Sequence, residues 1–241
     1  MIRWAIVIPV FNHEQTVAKV IEEALQFHVP VFVVDDGSTD ALSDRIKDNK
    51  TVTILRHPTN RGKGAALLTG FRAAAQYADW VVTIDADGQH KPKDALNLLQ
   101  TVSSGRRSIV VGHRVGMNEN HVPWKSRFGR EFSNFWVSAS GGPKISDTQS
   151  GMRLYPLPET LHLPVKARRF QFEVEILVKA KWYGLPVVES PIHVKYAPEG
   201  ERVSHYRGFV DFIRNSCTFI RLIFGRCFVL PFVRQRSYHQ R

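Results

Sequence analysis

Short apolar runs alternate with stretches of helical periodicity over the first 111 residues. Residues 3–9 read as a first strand. Val17, Val20, Ile21, Ala24 and Leu25 then recur at helical steps and mark one buried face. Asn12 is placed as the N-cap of that helix, with Gln15 three residues on as a variant capping box. Residues 31–34 form a second apolar strand, so strand, helix and strand fall within about thirty-five residues, a parallel βαβ unit with a right-handed crossover. Ser38 or Asp40 starts a short helix, and residues 52–55 form a third strand. Asn60-Arg61-Gly62-Lys63-Gly64 leads into a helix with Leu67, Phe71, Ala74 and Ala78 on one side. A central strand over 81–84 follows. Pro92 sits in the first turn of the next helix, which carries Ala95, Leu98, Leu99 and Val102, and 108–111 is a further strand. This alternation is the doubly wound α/β pattern of nucleotide-binding folds.

Beyond residue 111 the pattern changes. Trp124, Phe128, Phe132, Phe135 and Ala139 fall at helical spacing. Such an aromatic stripe is expected in the core, with a lipid groove as the alternative. Gly141-Gly142-Pro143 breaks it. Residues 147–151 read as a loop and 152–155 as a short strand. A helix on Phe172, Ile176, Leu177 and Ala180 is closed by Gly184, and Pro191 assigns the extended segment 187–196 to a sheet edge. From Tyr206 a helix carries Phe209, Phe212, Ile213, Phe219, Ile220 and Ile223, while Arg207, Arg214 and Arg221 recur every seven residues. Aromatics with an arginine stripe predict an interfacial helix lying in the plane of a membrane; the alternative is an amphipathic helix packed on the domain. The late apolar run at 227–233 is far short of the roughly 20 residues that span a bilayer. The amino terminus runs straight into strand chemistry without a small-residue cleavage site, so no signal peptide is expected.

Length and composition suit this outline. A chain of 241 residues with 43% hydrophobic content suffices for one α/β domain with a full core, or for one domain plus a small appendage. We expect a domain over 1–205, with a nucleotide half to about 115 and an acceptor half over about 116–205, and a basic extension over 206–241. The net charge is +11, and residues 202–241 hold eight arginines, no lysine and one acid, so +7 of it lies in the tail. Such a tail implies an anionic partner, a membrane surface or nucleic acid. Cys217 and Cys227 give neither a disulfide framework nor a zinc pattern, and a reducing compartment is the default.

The central strand ends in Asp85-Ala86-Asp87-Gly88-Gln89. In open α/β sheets, ligands bind in the crevice at the carboxyl ends of the strands. Two carboxylates one residue apart, bent together at Gly88, repel unless a cation lies between them. Hard oxygen donors suit Mg²⁺ or Mn²⁺ bridging to substrate phosphates, and the Gln89 carbonyl can join them. The bland alternative is a polar turn that caps the next helix. The second strand also ends in acids, Asp35 and Asp36, suited to a base or ribose, or to a capping turn. No G-x-G-x-x-G follows the first strand, which argues against a dehydrogenase, and Gly62-Lys63-Gly64 is not a P-loop. It either places Lys63 and a helix N-terminus near a diphosphate or is only a tight helix entry.

Ile8-Pro9-Val10-Phe11-Asn12, Val34-Asp35-Asp36-Gly37-Ser38, Asn60-Arg61-Gly62-Lys63-Gly64 and Thr83-Ile84-Asp85-Ala86-Asp87-Gly88-Gln89 stand in an order and spacing that resembles family 2 glycosyltransferases with a GT-A fold. Val111-Gly112-His113-Arg114, Asp147-Thr148-Gln149-Ser150-Gly151-Met152-Arg153-Leu154-Tyr155 and Phe172-Glu173-Val174-Glu175-Ile176-Leu177 are similar to the dolichyl-phosphate mannosyltransferase and polyprenyl-phosphate sugar transferase branch. The resemblance covers residues 3–207. It implies that Pro9, Phe11, Glu14 and Asp36 cradle the nucleoside. Asp85, Asp87 and Gln89 hold Mg²⁺ or Mn²⁺ on the diphosphate, with Asp87 the closest ligand. Arg114, Arg127 or Arg130, and Arg202 face acceptor and phosphates, and the anomeric centre inverts. Asp147 is the candidate base for a hydroxyl acceptor; a phosphate acceptor needs none, and Asp147 then orients a loop or an arginine.

The expectation is an inverting, metal-dependent transferase. It moves a hexose from a UDP- or GDP-sugar to a membrane lipid, a polyprenyl phosphate first, and sits peripherally on the cytoplasmic face of the membrane through 206–241. Transfer to a hydroxyl of another lipid or glycan, a nucleotidyltransferase, and a non-enzymatic protein binding anionic surfaces remain as alternatives; nucleic acid is the disfavoured partner.

Overall fold

A computed structural model describes residues 2–41, 52–102, 105–115, 124–194 and 208–228. The strands are β1 (Trp4–Val10), β2 (Val31–Asp35), β3 (Val52–Arg56), β4 (Trp80–Thr83), β5 (Ile109–Arg114), β6 (Arg153–Pro156) and β7 (Val187–Ile192). The helices are α1 (Glu14–Leu25), α2 (Lys63–Ala74), α3 (Ala95–Thr101), α4 (Trp124–Ala139), α5 (Glu159–His162), α6 (Phe172–Trp182) and α7 (Gly208–Phe228), with a 3₁₀ turn at Pro92–Asp94 before α3. The short helix expected after Ser38 or Asp40 lies outside the described residues.

The seven strands form one sheet in the order β3-β2-β1-β4-β6-β5-β7. β3, β2, β1 and β4 are mutually parallel, as the alternation predicts. β6 then runs antiparallel between β4 and β5, and β7 pairs parallel with β5 at the edge. That insertion positions the site. Arg153 at the start of β6 lies beside Thr83 at the end of β4. The loop entering β6 therefore arrives where β4 delivers Asp85.

The β1 side chains alternate across the sheet, as a strand's period of two requires. Ile6, Ile8 and Val10 join Val17, Val20 and Ile21 of α1 and Leu98 of α3 on one face. Ala5 and Val7 face Leu67 and Phe71 of α2 and Phe172 and Ile176 of α6 on the other. A smaller core forms where Val137 of α4, Val178 and Trp182 of α6, and Phe219 and Leu222 of α7 meet.

Three expectations are corrected. Asn12 does not cap α1: the helix begins at Glu14 after His13, without a side-chain cap, and Asn12 has φ +52. Its Oδ1 instead accepts the Thr39 N–H at 2.8 Å, tying the loop after β1 to the loop after β2. The α4 stripe is not uniformly core, for Phe132 packs on Phe212 and Phe219 while Phe128 and Phe135 are exposed. The arginines of α7 do not form a free stripe. Arg214 pairs with Asp211 and Arg221 with buried Glu175 of α6, and Arg226 donates to Ala139 O. Arg207 lies outside the described residues.

Candidate active site

The site gathers at the carboxyl ends of β1, β2, β4 and β5 and at the loop entering β6. Two loops are first clamped together. Asn12 N donates to Ser38 Oγ, Glu14 N to Asp40 Oδ2 at 3.0 Å, and Ala41 N to Glu14 Oε2 at 2.8 Å. Pro9 is buried inside β1 opposite Val34, and Phe11 is half-buried just past the strand. Of the residues expected around a nucleoside, Glu14 thus spends one carboxylate oxygen on the chain itself.

Asp36 is more fully committed. It is buried, and it accepts Arg61 N at 2.9 Å, Gly62 N at 2.7 Å and the His57 Nδ1–H at 2.7 Å. It shapes the turn that delivers Lys63, with Gly62 at φ +100, where a side chain would also strike Arg168 and Arg169. Asp35 is likewise engaged, with Ser38 N and the Arg56 guanidinium. Both acids organise loops in this structure.

Lys63 opens α2 and reaches across to β4. Its Nζ lies 2.7 Å from Asp85 Oδ1 and 2.7 Å from Glu173 Oε1 of α6. Burial works against the ammonium, but the two carboxylates outweigh it and hold Lys63 above its usual range. Burial likewise pushes the Asp85 carboxyl up, and Lys63 more than reverses this, keeping it ionised. Asp85 is also walled behind: a Cβ on Gly151 would fall 2.1 Å from Asp85 Oδ2, so any side chain there would push this carboxylate out of place. His90 Nε2 stands 4.0 Å from the same oxygen. Burial holds this imidazole below its ordinary range despite Asp85 and Asp87, and its Nδ1 has no hydrogen-bond partner among the described residues.

The chain bends at Gly88, φ +71. Asp87 is half-buried; its Oδ1 accepts Gln89 N at 3.0 Å. This closes a local turn but caps no helix, for neither the 3₁₀ turn at Pro92–Asp94 nor α3 has a side-chain cap, and it leaves Oδ2 without a protein partner among the described residues. Asp87 and the half-buried Gln89 therefore present oxygen donors, whereas Asp85 already has a cation in Lys63. No three His, Cys, Asp or Glu side chains converge as a metal cage among the described residues. This donor set fits a hard divalent ion that keeps waters and substrate phosphates as its other ligands.

Arg114 ends β5. Its Nε and Nη2 donate to Asp147 at 2.6 and 2.9 Å, in a bidentate pair whose carboxylate is 1% exposed. Burial raises the Asp147 carboxyl, but Arg114 dominates and holds it below the usual range. Arg153, wholly buried, underlies the whole loop. It donates to Thr148 O at 2.9 Å, Ser150 O at 2.7 Å and Glu173 O at 2.7 Å. Asn134 of α4 grips the loop from outside through Ser146 O and Thr148 N. Arg127 and Arg130, half-buried on α4, are carried on the helix that Asn134 docks against this loop. Arg202 lies outside the described residues.

Sequence reasoning gave no role to Glu173, Arg153, His57, His90 or Asn134. Only Arg153 carried a signal, a guanidinium inside the short apolar strand Met152-Arg153-Leu154-Tyr155. Glu173 stood within a quoted motif, but nothing nearby in the chain points to Lys63.

The family model "Glycosyl transferase family 2" matches residues 5–157. The chain belongs to this family and is a glycosyltransferase. The chain is 30% identical over 214 residues to a UDP-N-acetylglucosamine–dolichyl-phosphate N-acetylglucosaminyltransferase of Methanococcus voltae, covering 79% of this chain and 85% of the relative. It is 30% identical over 212 residues to a polyprenol monophosphomannose synthase of Mycolicibacterium smegmatis, covering 79% and 76%. The fold matches glucosyl-3-phosphoglycerate synthase of Mycobacterium tuberculosis, solved with Mn²⁺, UDP-glucose and phosphoglyceric acid. The TM-score is 0.67 at 21% identity, over 93% of this chain and 79% of that one. The fold is thus the GT-A glycosyltransferase fold. The non-enzymatic and nucleotidyltransferase alternatives fall away.

Proposed function

We propose that this glycosyltransferase moves a hexose, with inversion, from a nucleotide sugar to the phosphate of a polyprenyl lipid. The observation that carries the choice of acceptor is the buried Asp147–Arg114 pair. A general base must be reachable and hold a pKa near the working pH. Asp147 is enclosed, and Arg114 holds its pKa low. A phosphate acceptor is already ionised and asks for no base. Asp147 then serves to aim Arg114, whose guanidinium suits phosphate recognition. The relatives named for dolichyl phosphate and polyprenol phosphate acceptors agree with this reading.

In this reading Asp87 and Gln89 hold Mg²⁺ or Mn²⁺, which neutralises charge on the departing nucleoside diphosphate. Lys63, its charge already met by Asp85 and Glu173, offers its remaining N–H on the leaving-group side. Asp36 keeps the Arg61–Gly62 turn in place, and Glu14, Phe11 and Pro9 line the nucleoside end. Arg114, with Arg127 and Arg130, attracts the acceptor phosphate. Arg202 is assigned to the same side.

Asp147→Asn tests the acceptor assignment. A lost base would remove about 10²–10⁴ in rate. The expectation here is a loss within about tenfold, mostly in KM for the lipid phosphate, as for a displaced positioning group. Transfer is expected to polyprenyl phosphate and not to the corresponding free alcohol. A loss of a thousandfold or transfer to the alcohol would favour the hydroxyl reading. The variant also carries a stability signature. A depressed carboxyl pKa adds stability above the ordinary value of about 4, which is lost as pH falls through the folded value. The melting-temperature gap between wild type and Asp147→Asn is therefore expected to be full at neutral pH and to shrink on acidification below about pH 4.

We further propose that the enzyme docks peripherally on the cytoplasmic face of the membrane. No helix among the described residues is long and apolar enough to cross one. Ile213, Ile220, Phe224 and Phe228 of α7 and Phe128 and Phe135 of α4 are exposed on two neighbouring helices, and the tail through 241 is strongly basic. Replacing Ile220 and Phe224 together by Asp is expected to weaken binding to phosphatidylglycerol vesicles at least about tenfold in flotation assays. Undiminished flotation would contradict docking through this face.

A further inference from the structure

We propose that Glu173 is a positioning residue of the donor site, acting through Lys63, and that Lys63 meets the leaving diphosphate with the N–H its carboxylate partners leave over. This rests on the glycosyl transfer proposed above and adds to it a residue and a division of labour.

An ammonium has three donors. On Lys63 one meets Asp85 Oδ1 and another meets Glu173 Oε1, each at 2.7 Å. No other protein acceptor for Nζ is found among the described residues. The three side chains are nearly enclosed, at 16%, 23% and 10% exposure. They come from three elements: the first residue of α2, the loop after β4 and the first turn of α6.

Neutralising the lysine requires only one carboxylate, and Asp85 supplies it. The second does something different. A lysine held at one point still swings on a four-carbon stem. Held at two points, Nζ has its remaining N–H fixed in direction. A donor fixed in advance, in a site with little water, stabilises developing charge without reorganising at the moment of reaction.

The surroundings hold Glu173 in that task. It lies in the first turn of α6, where the helix N-terminus favours a carboxylate. Its carbonyl is gripped by buried Arg153 at 2.7 Å. Gly64 brings α2 against α6 so closely that a Cβ there would sit 2.5 Å from Phe172 Cβ. The neighbouring acid Glu175 is engaged elsewhere, with Ala167 N and Arg221. Glu173 alone of the α6 acids is aimed into the site.

The test is a double-mutant cycle on the full chain, read as steady-state turnover of its nucleotide sugar with saturating Mn²⁺ and lipid phosphate. Glu173→Gln keeps shape and an acceptor oxygen but frees Lys63 from its second charge. It is expected to lower kcat about tenfold with KM for the donor within about twofold, while Lys63→Met lowers kcat about a hundredfold, in the range of lost charge-stabilising donors. The double variant is expected to match Lys63→Met alone, because Glu173 has nothing left to position. Losses that multiply, or a Glu173→Gln enzyme with wild-type kcat, overturn the proposal. Glu173→Asp, one methylene short of Lys63, is the second variant; it is expected to behave as Glu173→Gln does, and full activity in it also overturns the proposal. A wild-type enzyme that turns over no UDP- or GDP-sugar would sink the underlying reading instead, before any variant is compared.

Discussion

Asp87→Ala is expected to lower turnover at least about a thousandfold, since in the proposed reaction the carboxylate would hold the divalent ion that offsets charge on the leaving group. The structure singles out Asp87 over its neighbour. Asp85 has its charge met by Lys63 at 2.7 Å and its other oxygen against Gly151. Asp87 gives one oxygen to Gln89 N at 3.0 Å and leaves the other without a protein partner among the described residues. Removing Asp85 should therefore also release Lys63, whereas removing Asp87 should strip the metal from an otherwise intact site. The two are separated by measuring kcat against Mn²⁺ concentration. Asp87→Ala is expected to need far more Mn²⁺ or to show no saturation, with an unchanged melting temperature in the absence of nucleotide. Activity within tenfold of wild type at the same Mn²⁺ concentration would remove Asp87 from the metal site.

Arg153→Met is expected to destabilise the fold by about 3–5 kcal/mol, because it leaves several buried carbonyls without donors at about 1–3 kcal/mol each. The carbonyls are those of Thr148, Ser150 and Glu173. Methionine matches the length of the stem and little else. The same change removes positive charge from behind Asp85 and the Asp147 loop, since Arg153 is among the groups that lower the Asp85 carboxyl. In a protein of this size such a loss corresponds to a melting temperature lower by roughly 10 °C. Urea or thermal denaturation with a secondary-structure signal measures it directly. A change under about 1 kcal/mol would mean that ordered water takes over these carbonyls.

The parts of this molecule that could be read from the sequence are those fixed locally. Residues 31–34 are a continuous apolar run and 81–84 are apolar apart from the β-branched Thr83, and buried parallel strands take that form. The helical face of α1 announces itself by period, while α2 and α6 show the same spacing but are buried on most sides. The acids after β2 and β4 stand at strand ends, so their placement follows from the strands. What stayed hidden depends on partners far along the chain. Asn12 reads as a cap because the Ser/Asn/Asp class prefers that position; its actual partner, Thr39, lies 27 residues on. The α7 arginines read as a stripe for lipid, yet Arg221 meets Glu175, 46 residues earlier. Asp147 reads as a possible base because Arg114, 33 residues before it, is brought alongside only when β6 inserts between β4 and β5. That insertion is antiparallel, and a four-residue strand carries no mark of its direction. Lys63 and Glu173, 110 residues apart, likewise meet only because α2 and α6 pack on the same face of the sheet, a contact no spacing rule foretells.

The most direct measurement is nucleotide binding with and without metal. UDP and GDP, each titrated calorimetrically into the wild-type chain, are expected to bind in the presence of Mn²⁺ for at least one of the two bases. That binding is expected to disappear on chelation and to be absent in Asp87→Ala. Equal affinity in excess chelator, or undiminished Mn²⁺-dependent binding by Asp87→Ala, would contradict the account.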